Sequence, residues 1–155
     1  MLRKLVLIST MLISMTTNAS SPQAIFIAEK KADFETTYQS VYKSLEENKF
    51  FVVFEPDIGA NLARFGKNWG NDYNQNKIER IKSMMFCNGW YANKVSNVDP
   101  DMLALCPLHV TVTHKQGLTK VLFVRPDFIA KGTRAESVAN EITQGVIEAI
   151  KRGMK

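Results

Sequence analysis

Between Leu108 and Val124 the chain reads LHVTVTHKQGLTKVLFV. Leu108, Val110 and Val112 alternate with His109, Thr111 and Thr113. A period of two places the first set on one face of a strand and the second on the other, and it does not suit an amphipathic helix. Lys115-Gln116-Gly117 supplies a turn, Val121 to Val124 returns, and Arg125-Pro126 ends the second strand, so this stretch is expected to form a hairpin with one apolar face. Such a face needs a cover, and the next segment offers one. Thr133 and Glu136 have the spacing of a capping box, Ala135, Val138, Ala139, Ile142, Val146 and Ile150 recur on one helical face, and Gly153 closes the helix.

The same reading extends upstream. Ala24 to Ala28 suits a first strand. Asp33 reads as an N-cap, Phe34, Tyr38, Val41, Tyr42 and Leu45 form a helical stripe, and Asn48 offers a left-handed stop. Phe50 to Phe54 is continuously apolar and reads as a strand buried on both faces. Asp57 is expected to cap a short helix that buries Ile58, Leu62 and Phe65. Gly66 to Lys77 lacks periodicity and reads as a long surface loop pinned by Trp69 and Tyr73, or as a lid or contact loop. Ile81 to Phe86 is the next strand, Asn88 to Val95 a helix, and Asp99-Pro100 opens a further short helix. Strands and helices alternate until the final hairpin. The expected fold class is therefore α/β or α+β, with one small sheet, helices packed on it, and a C-terminal hairpin followed by a long helix.

The first residues read differently. Arg3 and Lys4 precede an apolar run from Leu5 to Met15, and Thr17-Asn18-Ala19 places small residues where a leader is cleaved. This is the layout of a secretory signal peptide over residues 1–19, leaving residues 20–155 as a single domain. The run of 11 residues would span about 16 Å as a helix, against the roughly 30 Å of a hydrocarbon core. No later segment has the length and apolarity of a membrane span. Loss of Arg3 and Lys4 lowers the net charge from +5 to +3. Charge so small and spread so thinly is no footprint for nucleic acid, and the local cluster of Lys151, Arg152 and Lys155 suits a helix C-terminus. The expected location is the periplasm.

The chemistry concentrates between Met84 and His114, which hold both cysteines and both histidines. In an oxidising compartment Cys87 and Cys106 invite a disulfide, which would stabilise the fold by about 3 kcal/mol in the chain-entropy model. Geometry decides it. Parallel neighbouring strands would hold the two residues roughly 17 Å apart, whereas antiparallel ones would bring them within the about 7 Å that a disulfide needs. A second reading is a soft metal site, copper or zinc, drawn from Cys87, Cys106, His109 and Met85 or Met84. Against it, Cys106 and His109 have opposite strand parity unless Cys106 lies just before the strand. A third is thiol redox chemistry, with Cys87 ahead of a helix N-terminus. Free structural thiols complete the set. His109 reads as exposed or at a dimer contact, and His114 as solvated at the turn. Covalent haem is disfavoured, since no Cys-x-x-Cys-His occurs, and neither a Gly-x-Ser-x-Gly elbow nor a phosphate loop is present. No catalytic residue is assigned.

At FCNGWYANKVSNVDPDMLALCPLHVTV the chain resembles the domain-of-unknown-function family numbered 302. The similarity is carried by Asn48, Phe50, Val52 and Val53, by the Phe86-Cys87-Asn88 strand end, and by Asp99-Pro100 with Cys106-Pro107-Leu108, and it covers roughly residues 33 to 126. The resemblance implies a small α/β domain, commonly paired as a homodimer, and implies no reaction. The leader, the long 66–77 stretch and the two cysteines set this chain apart from simpler members. The expected function is an exported, non-enzymatic binding protein with its site near Cys87, Cys106 and His109, covered by the Trp69 stretch. A thiol-dependent redox protein and a disulfide-stapled interaction module are the alternatives. The ligand, whether a small molecule or a periplasmic protein, is not named by these residues.

Overall fold

A computed structural model describes residues 24–155, so the leader assigned to residues 1–19 lies outside the described residues. Five strands form one sheet: β1 (Ile25–Lys31), β2 (Phe51–Phe54), β3 (Arg80–Cys87), β4 (Leu108–Lys115) and β5 (Leu118–Val124), in the spatial order β1-β5-β4-β3-β2. Every neighbouring pair is antiparallel. That resolves the expected class to α+β. The principal helices are α1 (Phe34–Glu47), α4 (Gly89–Val98) and α6 (Glu136–Gly153), with short helices α2 (Ile58–Ala63), α3 (Gly66–Trp69) and α5 (Pro126–Ile129) between them. Among the described residues no helix is long and apolar enough to cross a membrane.

The hairpin forms as its alternation requires. Val110, Val112, Val121 and Phe123 are buried on one face, beside Met84 and Phe86 of β3. Gln116 and Gly117 both have positive φ, 50° and 75°, the backbone of a two-residue turn whose twist matches its strands. The buried face is covered by α1, through Phe34, Tyr38, Val41 and Leu45, and by α6, through Val138, Ile142, Val146 and Ile150. The two helices pack on one another. Gly153 has its role here: a Cβ at this position would lie 2.6 Å from the Val41 Cα, so α1 and α6 can meet this closely only without a side chain. It is the last residue of α6, where the helix was expected to close.

Several local expectations shift. Asp33 caps α1 as expected, accepting from the Thr36 N–H at 2.8 Å. The left-handed residue after it is Lys49, at φ 65°, and not Asn48. The capping box at α6 is displaced by one residue: Glu136 accepts from the Gly132 N–H, and the Thr133 hydroxyl accepts from Ala135. The larger correction concerns β2. Read as buried on both faces, it is an edge strand paired only with β3, and Phe51, Val53 and Phe54 are half exposed or more. A continuous apolar run does not distinguish a central strand from an apolar edge. Asp57 does cap α2, but Leu62 and Phe65 are exposed and not buried, because α2 leans on the end of β3 without entering the core.

Candidate functional site

The excursion between β3 and β4 builds the site. β3 ends at Cys87, and the Asn88 side chain caps α4 by accepting from the Tyr91 N–H at 3.1 Å. Asp99 ends α4, Pro100 opens a 3-10 helix over Pro100–Leu105, and Cys106 follows, joined to Pro107 by a cis bond. β4 then starts at Leu108, paired with Phe86. The chain thus leaves and re-enters the sheet at the same end of two antiparallel neighbours. The antiparallel pairing brings the two cysteines together: the Cys87 and Cys106 Sγ atoms lie 3.7 Å apart as free thiols. Burial, and then the hydrogen bond and charge of Cys87, push the Cys106 thiol up to about 11. Cys106 is therefore a poor thiolate at neutral pH.

Behind the thiols lies an apolar cavity. Phe50 holds α4 against the sheet, edge-on to Phe86 at 5.8 Å and stacked on Tyr91 at 6.1 Å. Ala135, Ala139 and Ile142 of α6 line the cavity, and Met102, Leu103 and Leu105 of the 3-10 helix line it too. The atom-free space is about 520 Å³ with its open mouth included, of which about 40 Å³ can hold the centre of a water-sized sphere. No charged side chain is among its lining residues.

The other expected residues are distributed around this centre. Met85 and His109 face each other across the β3–β4 ladder, and His109 is exposed. Among the described residues no three His, Cys, Asp or Glu side chains come together as a group that could hold a metal ion. Trp69 and Tyr73 do not line the cavity. They stack with Phe65 instead, Phe65 to Trp69 at 5.5 Å and Trp69 to Tyr73 at 6.5 Å. The 66–77 stretch is thus folded as α3, a 3-10 turn at Gly70–Asp72, and an Asn74 side chain that bonds both the N–H and the C=O of Ile78.

His114 is not solvated at a turn. It continues the parity of Val110 and Val112 and is largely buried, edge-on to Phe34 at 6.3 Å. Thr119 gives its own proton to the Ala32 carbonyl at 2.8 Å, so the 2.7 Å bond to His114 Nδ1 requires the imidazole to donate. Its Nε2 then faces Glu79 at 3.7 Å. The alternation was written in the sequence through His114; only the neighbouring turn signal obscured it.

The cavity residues Tyr91 and Leu105 were not singled out in the sequence, and Ala139 was read only as part of a buried helical stripe, since nothing local marks an alanine as lining a void. A buried polar contact was likewise missed: the Tyr38 hydroxyl donates to Glu55 at 2.7 Å, with Lys82 over its ring at 4.3 Å. Burial first, then Glu55, holds that phenol well above its ordinary range.

Fold and site together define a one-sheet α+β domain with a paired-thiol end beside an apolar cavity. The chain belongs to the family described as domain of unknown function DUF302, whose model matches residues 26–153. Its fold is similar to the crystal structure of an uncharacterized conserved DUF302 protein from Bacillus stearothermophilus. The TM-score is 0.73 at 16% identity, over 84% of this chain and 98% of that one. No curated protein matches the sequence.

Proposed function

We propose that this chain acts outside the cytoplasm, in the periplasm, as a non-enzymatic binding domain whose Cys87 and Cys106 are joined as a disulfide. The observation that carries the reading is the 3.7 Å separation of the two sulfurs at the edge of an apolar cavity. The leader-like first residues would send the chain to a compartment where such bonds persist.

The homodimer belongs to the same proposal. Across the uncovered face of the sheet, Ile25, Val124, His109, Met85 and Phe54 form a row of neighbours over all five strands, a belt roughly 19 Å long. Ile25, Val124 and Phe54 are each 40% exposed or more, an apolar stretch of the kind that marks an interface. A second copy of the same face is its proposed cover, packed sheet on sheet. The register shift at Val53 works against the alternative of edge-to-edge pairing through β2.

The test is mass, thiol and metal analysis of the full chain, purified from the periplasm without reductant and alkylated. A mass two units below the reduced value, with no alkylation, is the expected result. Two alkylatable thiols would sink the staple, and if they came with about one equivalent of copper or zinc the soft-metal reading would replace it. Light scattering on the same sample is expected to give twice the chain mass.

A further inference from the structure

We propose that the cavity beside the thiol pair is a binding site for an uncharged, largely hydrocarbon molecule, thin in one dimension. The proposal names the ligand class of the binding domain above and rests on that reading, but not on whether the thiols are bonded.

Packing gives the first reason. Protein interiors fill space at the density of organic crystals, with few voids larger than a water. Here four alanines, Ala92 of α4, Ala139 of α6, and Ala130 and Ala135 at the ends of the α5–α6 connection, line one void, where larger side chains would have closed it. Chemistry gives the second. The polar groups of the lining are the two thiols, the Asn88 amide and the Tyr91 hydroxyl. Asn88 Oδ1 is already engaged by the Tyr91 N–H, which leaves its amino group as a neutral donor. An ionised ligand would lose its hydration here and meet no opposite charge, whereas an apolar one gains by leaving water. The third reason is the roof. Leu103 and Leu105 belong to a single 3-10 helix, a weak helical form used in short pieces, and Leu103 is itself 37% exposed. The void as it stands is smaller than the roughly 150 Å³ in which an apolar cavity takes a single ring, so a flat ring or a chain edge-on enters only as this roof gives way.

The test is a fluorescence titration of the intact protein with neutral phenylnaphthylamine and with its sulfonated analogue, anilinonaphthalene sulfonate. The neutral dye is expected to bind at least roughly tenfold tighter than the sulfonate. Ala139→Phe from α6 and Ala92→Leu from α4, each confirmed folded by circular dichroism, are expected to weaken it by roughly tenfold or more. Phe54→Ser on the uncovered face is expected to leave it unchanged. Methyl NMR on the unsubstituted protein makes the result independent of those variants: the dye should shift the methyl resonances of Ala92, Ala130, Ala135 and Ala139. The proposal is overturned if no dye binds, if the sulfonate binds as well, if the folded filling variants bind like the parent, or if the shifts fall on Ile25, Ile27 and Val124. Those outcomes leave the staple and the dimer standing. Free thiols with the alanine shifts intact would remove the staple and keep the cavity site.

Discussion

On one face of the sheet Met84, Phe86, Val110, Val112, Val121 and Phe123 are at most 1% exposed; on the other, Ile25, Ile27, Val124, Phe51 and Phe54 are 40 to 61% exposed. The residue types are nearly the same. What differs is that α1 and α6 cover the first face, whereas on the second only part of β3 is covered, where Ser83 is buried beside α2, and the outer residues of β1, β5 and β2 stay open. Apolar character alone therefore does not make a core. The covered face converts burial into fold stability, and the open one keeps it in reserve for a contact with another surface.

The sharpest way to break this comparison is to truncate one residue on each face. Phe123→Ala is expected to cost about 3–5 kcal/mol in urea unfolding, by lost transfer energy and a residual cavity. Ile27→Ser, one strand away on the open face, should change monomer stability by no more than about 0.5 kcal/mol and instead weaken self-association in light scattering. Equal losses in unfolding would mean that the open face is part of the core.

The next effect is redox. Reduction of the oxidised protein should lower its unfolding free energy by about 3 kcal/mol, since a cystine here closes a loop of about 20 residues. Cys106→Ser, compared with the reduced parent, should be nearly silent. A comparable loss from Gly153→Val would show how tightly the covered face is packed: its new side chain meets the Val41 backbone, and overpacking of that kind costs about 1–3 kcal/mol.

A smaller effect is electrostatic. Asp127 accepts from the Arg125 guanidinium at 2.6 Å and from the Thr143 hydroxyl at 3.0 Å. Partial burial raises its carboxyl, but these bonds outweigh it, and the carboxyl sits below the ordinary carboxylate range. The folded protein thus binds this proton less readily than the unfolded one. The stabilisation is present above about pH 4 and is lost as pH falls through the lowered folded value. Asp127→Asn should remove about 1 kcal/mol at pH 7 and flatten the acid limb of the stability curve. The smallest expected change is Lys94→Met. Its 2.6 Å pair with Glu141 is partly exposed, and its loss should stay within about 0.5 kcal/mol.

Local signals were legible where a single residue does a local task. Asp33, Asp57 and Asn88 each cap the helix that follows, because a short polar side chain reaches free N–H groups two or three residues ahead. The alternation through β4 and the helical stripe of α6 were equally clear, because burial repeats at the period of the backbone. Partnerships were not. FFVVF looks the same at an edge as in the middle of a sheet, and whether Cys87 and Cys106 meet depended on β3 and β4 running antiparallel.

The sequence by itself therefore determined the strands and the principal helices, the order in which they come, the side of β4 and α6 that faces inward, and the family. Only the tertiary structure decided that the two thiols touch, that β2 lies at an edge, that His114 is held under Phe34, and that four alanines of α4, α6 and the α5–α6 connection leave a void beside the thiols. The physical reason is range. Capping and periodicity act within a turn or two of chain, whereas strand order and void volume are set by residues far apart in sequence that meet only when the sheet closes.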